Sequence, residues 1–150
     1  MAQSLSKIYL HIIFSTKNRI KMIKPDIQTE LYKYIAGILK SLDCTALQIG
    51  GTPDHIHILN ILSRNISISE MIALIKKDSS KWIKKKGSTY EKFYWQSGYG
   101  AFSIGQSKLS TLKKYIDNQL DHHKKITFQD EYRKFLDDYQ IVYDEKYIWD

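Results

Sequence analysis

Two hydrophobic periods alternate along the chain. Short apolar runs with strand character cover Ile8 to Phe14 (IYLHIIF), Cys44 to Ile49 and His55 to Leu62, and they predict three strands. The stretches between them carry helical spacing. After Pro25-Asp26, the residues Leu31, Tyr34, Ile35, Ile38 and Leu42 recur on one face, which predicts a helix to about Leu42. With Ser67 or Ser69 as N-cap, Ile68, Ile72, Ile75, Ser79 and Trp82 form the inner stripe of a second helix, ending near Gly87. Gly50-Gly51 is read as the stop of the second strand. The link through Thr52-Pro53-Asp54 is short enough to make strands two and three antiparallel neighbours. Phe93 to Trp95 and Tyr99 to Ile104 read as short strands around Gly98. Ser107 caps a third helix that runs to about His123, with Leu109, Leu112, Ile116 and Leu120 as its stripe. Thr127 or Gln129 starts a fourth helix reaching about Tyr139, before an aromatic, acidic tail.

The order is therefore β-α-β-β-α-β followed by helices. This predicts an α+β fold of ferredoxin-like (RRM-like) type: a mainly antiparallel sheet with both crossover helices on one face. The other face is then left free for a site or a partner. At 150 residues the expectation is a single domain, 1–150.

Composition adds three constraints. The one cysteine, Cys44, excludes an intramolecular disulfide and a cysteine-rich zinc site, and its neighbours suggest a small buried hydrophobe. Lysine and arginine number 23 against 16 acids, for a net charge of +7, which favours a polyanionic partner, nucleic acid first. Eleven tyrosines interleaved with lysines are what a single-strand binder uses, although tyrosine also packs cores. The stretch MAQSLSKIYLHIIFSTKNR has no cationic leader pattern, and its apolar part is too short and polar to span a bilayer. The expected setting is soluble and cytoplasmic, with no membrane.

The sharpest local signal is PDHIHIL, Pro53 to Leu59. Strand alternation puts His55 and His57 on one face, with Ile56 and Ile58 on the other. Two such imidazoles can share a metal ion, or can be two satisfied polar residues on a half-exposed strand. A histidine-triad hydrolase needs a third alternate histidine, but position 59 is Leu59. A two-histidine phosphoesterase needs two separated His-x-Ser/Thr units, and a His-x-His amidohydrolase needs a long barrel. Neither requirement is met. On the third predicted helix, LSTLKKYIDNQLDHHKK, Tyr115 and Gln119 are neighbours one turn apart on the flank of the apolar stripe. They read equally as packing residues or as a nucleophile and a third ligand on one rigid element.

Eight stretches in order, HIIFSTKNR, YIAGILK, IGGTPDHIHIL, SSKWIK, YWQSGYGAFSI, YIDNQLDHH, TFQDEYRKFL and YDEKYIWD, span nearly the whole chain. Together they resemble the single-tyrosine HUH (His, hydrophobic, His) transposases of small insertion sequences, including their repetitive-element-associated relatives. Two departures from that pattern are Ser97, where Asp is expected, and Gln140, where Gly is expected. The resemblance implies a metal-dependent single-stranded DNA endonuclease and strand transferase. It places His55 and His57 on the metal-binding pair, Tyr115 on the catalytic tyrosine and Gln119 on the third ligand. It also implies a divalent metal, Mg²⁺ or Mn²⁺, a covalent phosphotyrosine intermediate, hairpin ends of single-stranded DNA as partner, and a homodimer whose tyrosine helix can act in trans.

Other readings stay beside this one. A non-catalytic module binding single-stranded or hairpin DNA or RNA would keep the basic surface but has no reason to keep all four site residues. An HUH nickase of the replication or plasmid-transfer type usually sits in a longer chain. The lysine run Lys76, Lys77, Lys81, Lys84, Lys85 and Lys86 is either a solvated helix face or a DNA-backbone contact, as are Lys17 and Arg19. Trp95, Tyr99 and Phe102 are expected in the core. His122 and His123 are either near the site or helix-end cations. Asp54 is either an orienter of a ligand imidazole or a turn residue, and His11 is expected to be structural.

Overall fold

The computed structural model describes residues 2–150. Four strands form one antiparallel sheet: β1 (Tyr9–Ser15), β2 (Thr45–Thr52), β3 (His55–Ile61) and β4 (Gly100–Ile104), in the order β2-β3-β1-β4. Helices α1 (Pro25–Ser41) and α2 (Ile68–Lys84) are the two crossovers, which gives the ferredoxin-like arrangement. Three helices follow β4: α3 (Leu109–Asp117), α4 (Gln119–His122) and α5 (Phe128–Asp138).

Local chemistry explains the ends. Pro25 stands in the first turn of α1, where its missing N–H costs nothing. Ser67 Oγ accepts from Glu70 N at 3.1 Å to cap α2, and Thr127 Oγ1 accepts from Asp130 N at 3.2 Å to cap α5. Two helices close through a left-handed residue: Asp43 (φ 59°) after α1 and Gln140 (φ 55°) after α5. In the second, Gln140 N bonds Asp137 O and Ile141 N bonds Leu136 O, the paired bonds of a Schellman ending. Glycine is the natural residue there, which explains why Gln140 stands out against the family pattern.

The strand register divides the sheet into two unlike faces. Under α1 and α2, Ile12, Phe14, Ile56 and Ile58 are completely buried with Leu31, Ile35, Met71 and Ile75. On the opposite face Ser15 pairs with His55, Ile13 with His57 and His11 with Leu59. Phe102 pairs with His11 across β4.

Several expectations need correction. The face opposite the crossover helices is not free; α3, α4 and α5 cover it. Gly50 and Gly51 do not stop β2 but lie within it. A Cβ on Gly50 would come within 2.5 Å of Ile116 O, so the glycine lets α3 lie directly on the sheet. The expected strand Phe93 to Trp95 is reduced to an isolated bridge between Thr16 and Trp95. The third helix is not continuous to His123. A 3₁₀ turn (Gln106–Lys108) leads into α3, and the helix breaks at Asn118 (φ −96°, ψ 20°). The break swings Leu120 out, 55% exposed, and buries Gln119. In α1, Tyr34 leaves the inner face to stack on Trp82 at 5.5 Å between ring centroids, and Ile83 rather than Trp82 is fully buried in α2. Cys44 is buried, as expected. The tail packs Tyr143, Ile148 and Trp149 against the core under α5.

Candidate functional site

β3 presents His55 and His57 to one face, and the chain from Tyr115 to Glu131 closes over them. His55, His57, Gln119 and Glu131 are each at most 2% exposed. The His55 ring is held from behind: its Nδ1 lies 2.7 Å from Asp54 Oδ1 and 2.9 Å from Thr52 Oγ1, and Thr52 donates to the same carboxylate oxygen. With Nδ1–H donated to Asp54, Nε2 of a neutral ring carries a lone pair. That lone pair faces Gln119 Oε1 at 3.1 Å. Gln119 is fixed by its own amide, whose Nε2 donates to Tyr115 O at 3.3 Å, so its oxygen is the atom turned to the histidines.

The same conflict recurs at His123. Its Nδ1 bonds Ile126 O at 2.8 Å, leaving Nε2 to face Glu131 Oε2 at 3.1 Å without hydrogen-bond geometry. His57 Nε2 lies 2.9 Å from Glu131 Oε1, and His57 Nδ1 lies 2.8 Å from His11 Nε2. His11 therefore sets which nitrogen of His57 carries the proton. The Tyr115 hydroxyl donates to Glu131 Oε2 and sits 3.1 Å from His122 Nε2.

Burial lowers the pKa of His57, outweighing the attraction of Glu131, and burial together with His57 lowers that of His11. Burial opposes ionisation of Glu131, yet the surrounding His57, His123 and His55 hold it well below the usual carboxylate range. Burial and the Glu131 charge push the Tyr115 hydroxyl above its ordinary value. Burial also opposes ionisation of Asp54, but its close contact with His55 and the hydrogen bond from Thr52 win and lower it.

Imidazole nitrogens and acceptor oxygens thus converge in one buried cluster, a donor set of the kind that binds a cation. Ligating atoms of His55, His57, His123 and Glu131 all lie within 4.8 Å of one another. The residues fit a divalent metal.

Three comparisons bear on this arrangement. The family described as Transposase IS200 like matches residues 4–119. The chain belongs to this family. Among solved structures, a provisionally assigned transposase from Deinococcus radiodurans superposes with a TM-score of 0.62 at 18% identity, over 79% of this chain and 98% of that one. A REP-associated tyrosine transposase bound to a REP hairpin gives a TM-score of 0.59 at 16% identity, over 84% of this chain and 76% of that one. Both similarities are of fold. No curated protein matches the chain.

Among the residues expected from sequence, the fold of one chain brings His55, His57, Tyr115 and Gln119 together. Asp54 orients His55, and His122 and His123 both reach the site. His11 is structural in the sense that it supports His57. Of the expected basic residues, Lys17, Lys77, Lys81 and Lys84 lie around Tyr94, and Arg19, Lys85 and Lys86 lie elsewhere. Lys76 is half-buried, with its ammonium on the carbonyls of Gln96, Ser97 and Gly98. Burial lowers its pKa to about 8. Lys86 pairs with Glu30 at 3.3 Å. Arg19 turns to the tail, 5.5 Å from the Trp149 ring. Lys17 and Lys84 converge on Tyr94, while Lys77 and Lys81 line the groove beside it. Lys85 ends α2 as its C-cap.

Glu131 was not foreseen. In TFQDEYRKFL it looks like one more helix charge, but it lies three residues after Phe128 and one before Tyr132, inside the apolar stripe. An acid in a stripe is the signal that marks it. Among the described residues, no helix is long and apolar enough to cross a membrane.

Proposed function

We propose that this transposase-family chain cleaves and rejoins single-stranded DNA through a covalent phosphotyrosine, with Tyr115 as nucleophile. The observation that carries the reading is that, within one chain, the Gln119 amide oxygen meets His55 while the Tyr115 hydroxyl donates to the same Glu131 carboxylate that faces His57. A binding module needs no such assembly. The hairpin-bound relative supports hairpin ends of single-stranded DNA as the partner.

His55, His57 and Glu131, with Gln119 and His123 beside them, would hold the divalent cation. Three imidazoles favour Mn²⁺ over Mg²⁺, because nitrogen donors suit transition metals. When bound, the cation offsets phosphate charge and lowers the cost of ionising a nearby hydroxyl. The rest is done by the chain. The hydroxyl proton of Tyr115 passes to His122 Nε2, 3.1 Å away, freeing Oη to attack phosphorus, while Glu131 orients the hydroxyl. The Oη–P bond forms as the P–O bond to deoxyribose breaks, and the departing oxygen takes a proton from water. The bond energy stays in the phosphotyrosine ester, so a second DNA hydroxyl can reverse the step without ATP. Asp54 and His11 keep the two rings oriented. Since His57 and Glu131 are closed off from solvent, the α4–α5 segment must move to admit a phosphodiester. A homodimer can supply the tyrosine helix in trans; the contact of Tyr115 with Glu131 of its own chain supports action in cis.

The test is cleavage of end-labelled hairpin DNA carrying single-stranded flanks, from the source genome, with Mn²⁺ or Mg²⁺. Metal-dependent cutting that is lost in Tyr115→Phe and His57→Ala supports strand transfer. Tight hairpin binding without cutting under any metal favours the binding module.

A further inference from the structure

The segment Phe93–Trp95 is extended and anchored at both ends. Phe93 is fully buried and Trp95 is 7% exposed, and the Trp95 indole donates to Ser79 Oγ at 2.9 Å. Alternation then forces the residue between them outward, and Tyr94 is 56% exposed. Lys84 Nζ stands 4.1 Å from the ring centroid and Lys17 Nζ 5.8 Å. Beside the ring lies a groove of about 370 Å³, lined by Lys76, Lys77, Lys81 and Lys84 among others. Among the described residues no acidic side chain lines it. The lysine ion pairs of the described residues are Lys86–Glu30 and Lys124–Asp121, so Lys17 and Lys84 keep their charge unspent.

The groove is tied to the catalytic end of the sheet by backbone. Lys17 N bonds Tyr94 O at 2.8 Å, and Thr16 N bonds Asp54 O, next to His55, at 2.8 Å. One strand end therefore separates the exposed ring from the histidine pair.

We propose that Tyr94 is a stacking platform for one unpaired base of the DNA flank, with Lys17, Lys81 and Lys84 on the adjoining phosphates. The inference rests on the strand-transferase reading and adds to it the place where the single strand is held. A half-exposed aromatic ring, with the Lys84 ammonium over its face, Lys17 nearby and no carboxylate lining the groove, makes the combination that single-strand binders use. A base entering the groove replaces Lys84 over the ring, and the freed ammonium moves to phosphate.

The experiment is fluorescence anisotropy of the full chain with labelled oligodeoxythymidine and, separately, a blunt hairpin without flanks. Tyr94→Ala should weaken oligodeoxythymidine binding roughly five- to hundredfold while leaving the blunt hairpin and the thermal midpoint unchanged. Tyr94→Phe should bind as the parent does, because the stacking face is kept. Lys84→Ala should reduce the slope of log affinity against log salt by about 0.7. Oligodeoxythymidine affinity unmoved by Tyr94→Ala overturns the proposal. So does Tyr94-dependent binding to anionic phosphatidylserine vesicles with none to the oligonucleotide. The Tyr115 adduct, read in the same preparations, keeps the two ideas apart. An adduct with Tyr94-independent binding sinks only the platform. Tyr94-dependent binding with no adduct sinks only strand transfer.

Discussion

The two faces of the one sheet are built to opposite rules. Ile12, Phe14, Ile56 and Ile58 meet α1 and α2 in an apolar layer, with the half-buried Lys76 ammonium at its edge over Phe14. One residue away along the same strands, His11, His55 and His57 meet Gln119 and Glu131 in a layer equally closed to water. The first layer gains by removing hydrocarbon from water. The second buries a carboxylate and several imidazoles, an arrangement that pays only when each polar atom finds a partner. Two imidazole nitrogens, those of His55 and His123, face oxygens in this layer, and its His and Glu groups lie close enough together to hold a cation. Strand alternation puts the apolar core and the polar cluster on opposite sides of β1 and β3.

Breaking the apolar side should give the largest stability effect. Phe14→Ala, which removes a fully buried ring packed edge-on against Trp95, should cost about 3–5 kcal/mol, read by urea unfolding. The Mn²⁺ affinity of the remaining folded protein should not change.

The polar side should break the other way. His11→Phe removes the group that fixes the His57 tautomer and should weaken Mn²⁺ binding by about 10- to 100-fold, measured by calorimetry. Its thermal midpoint should move far less than that of Phe14→Ala.

Acid should separate the faces without mutation. His11 and His57 have folded pKa values below their unfolded value of 6.5. The unfolded chain therefore binds more protons in the window below 6.5, and stability present at pH 7 is lost as pH falls through it toward the folded values. Glu131 and Asp54, also lowered, extend the loss below the ordinary carboxylate range. Metal-free unfolding curves between pH 7 and pH 5 should show the decline, and His11→Phe should flatten it.

The smallest effect lies outside both layers. Gln140→Gly relieves the left-handed backbone after α5 and should raise stability by a few tenths to about 1 kcal/mol. Cleavage of hairpin DNA should be unaltered.

Most of this contrast could be read in the sequence. Apolar runs and helical spacing located the β-α-β-β-α-β order, and the period of two placed His55 and His57 on one face. What escaped was whatever depends on distant chain segments meeting. Glu131 is a single charge in a charged helix, and only its place between Phe128 and Tyr132 marks it. The break at Asn118 escaped because an apolar stripe through Leu120 continues the helical period, while burial of Gln119 against His55 prevails in the fold. Gly50-Gly51 looked like a stop because the close approach of Ile116 is invisible without α3 in place.

The central claim is that the polar layer is a tyrosine strand-transfer site. The direct measurement is to incubate the protein with labelled hairpin DNA and Mn²⁺, denature in SDS, and map the attached residue by mass spectrometry. The account predicts a metal-dependent protein–DNA adduct at Tyr115, absent in Tyr115→Phe and after chelation. An adduct at another residue, or hairpin cutting that survives Tyr115→Phe, would contradict it.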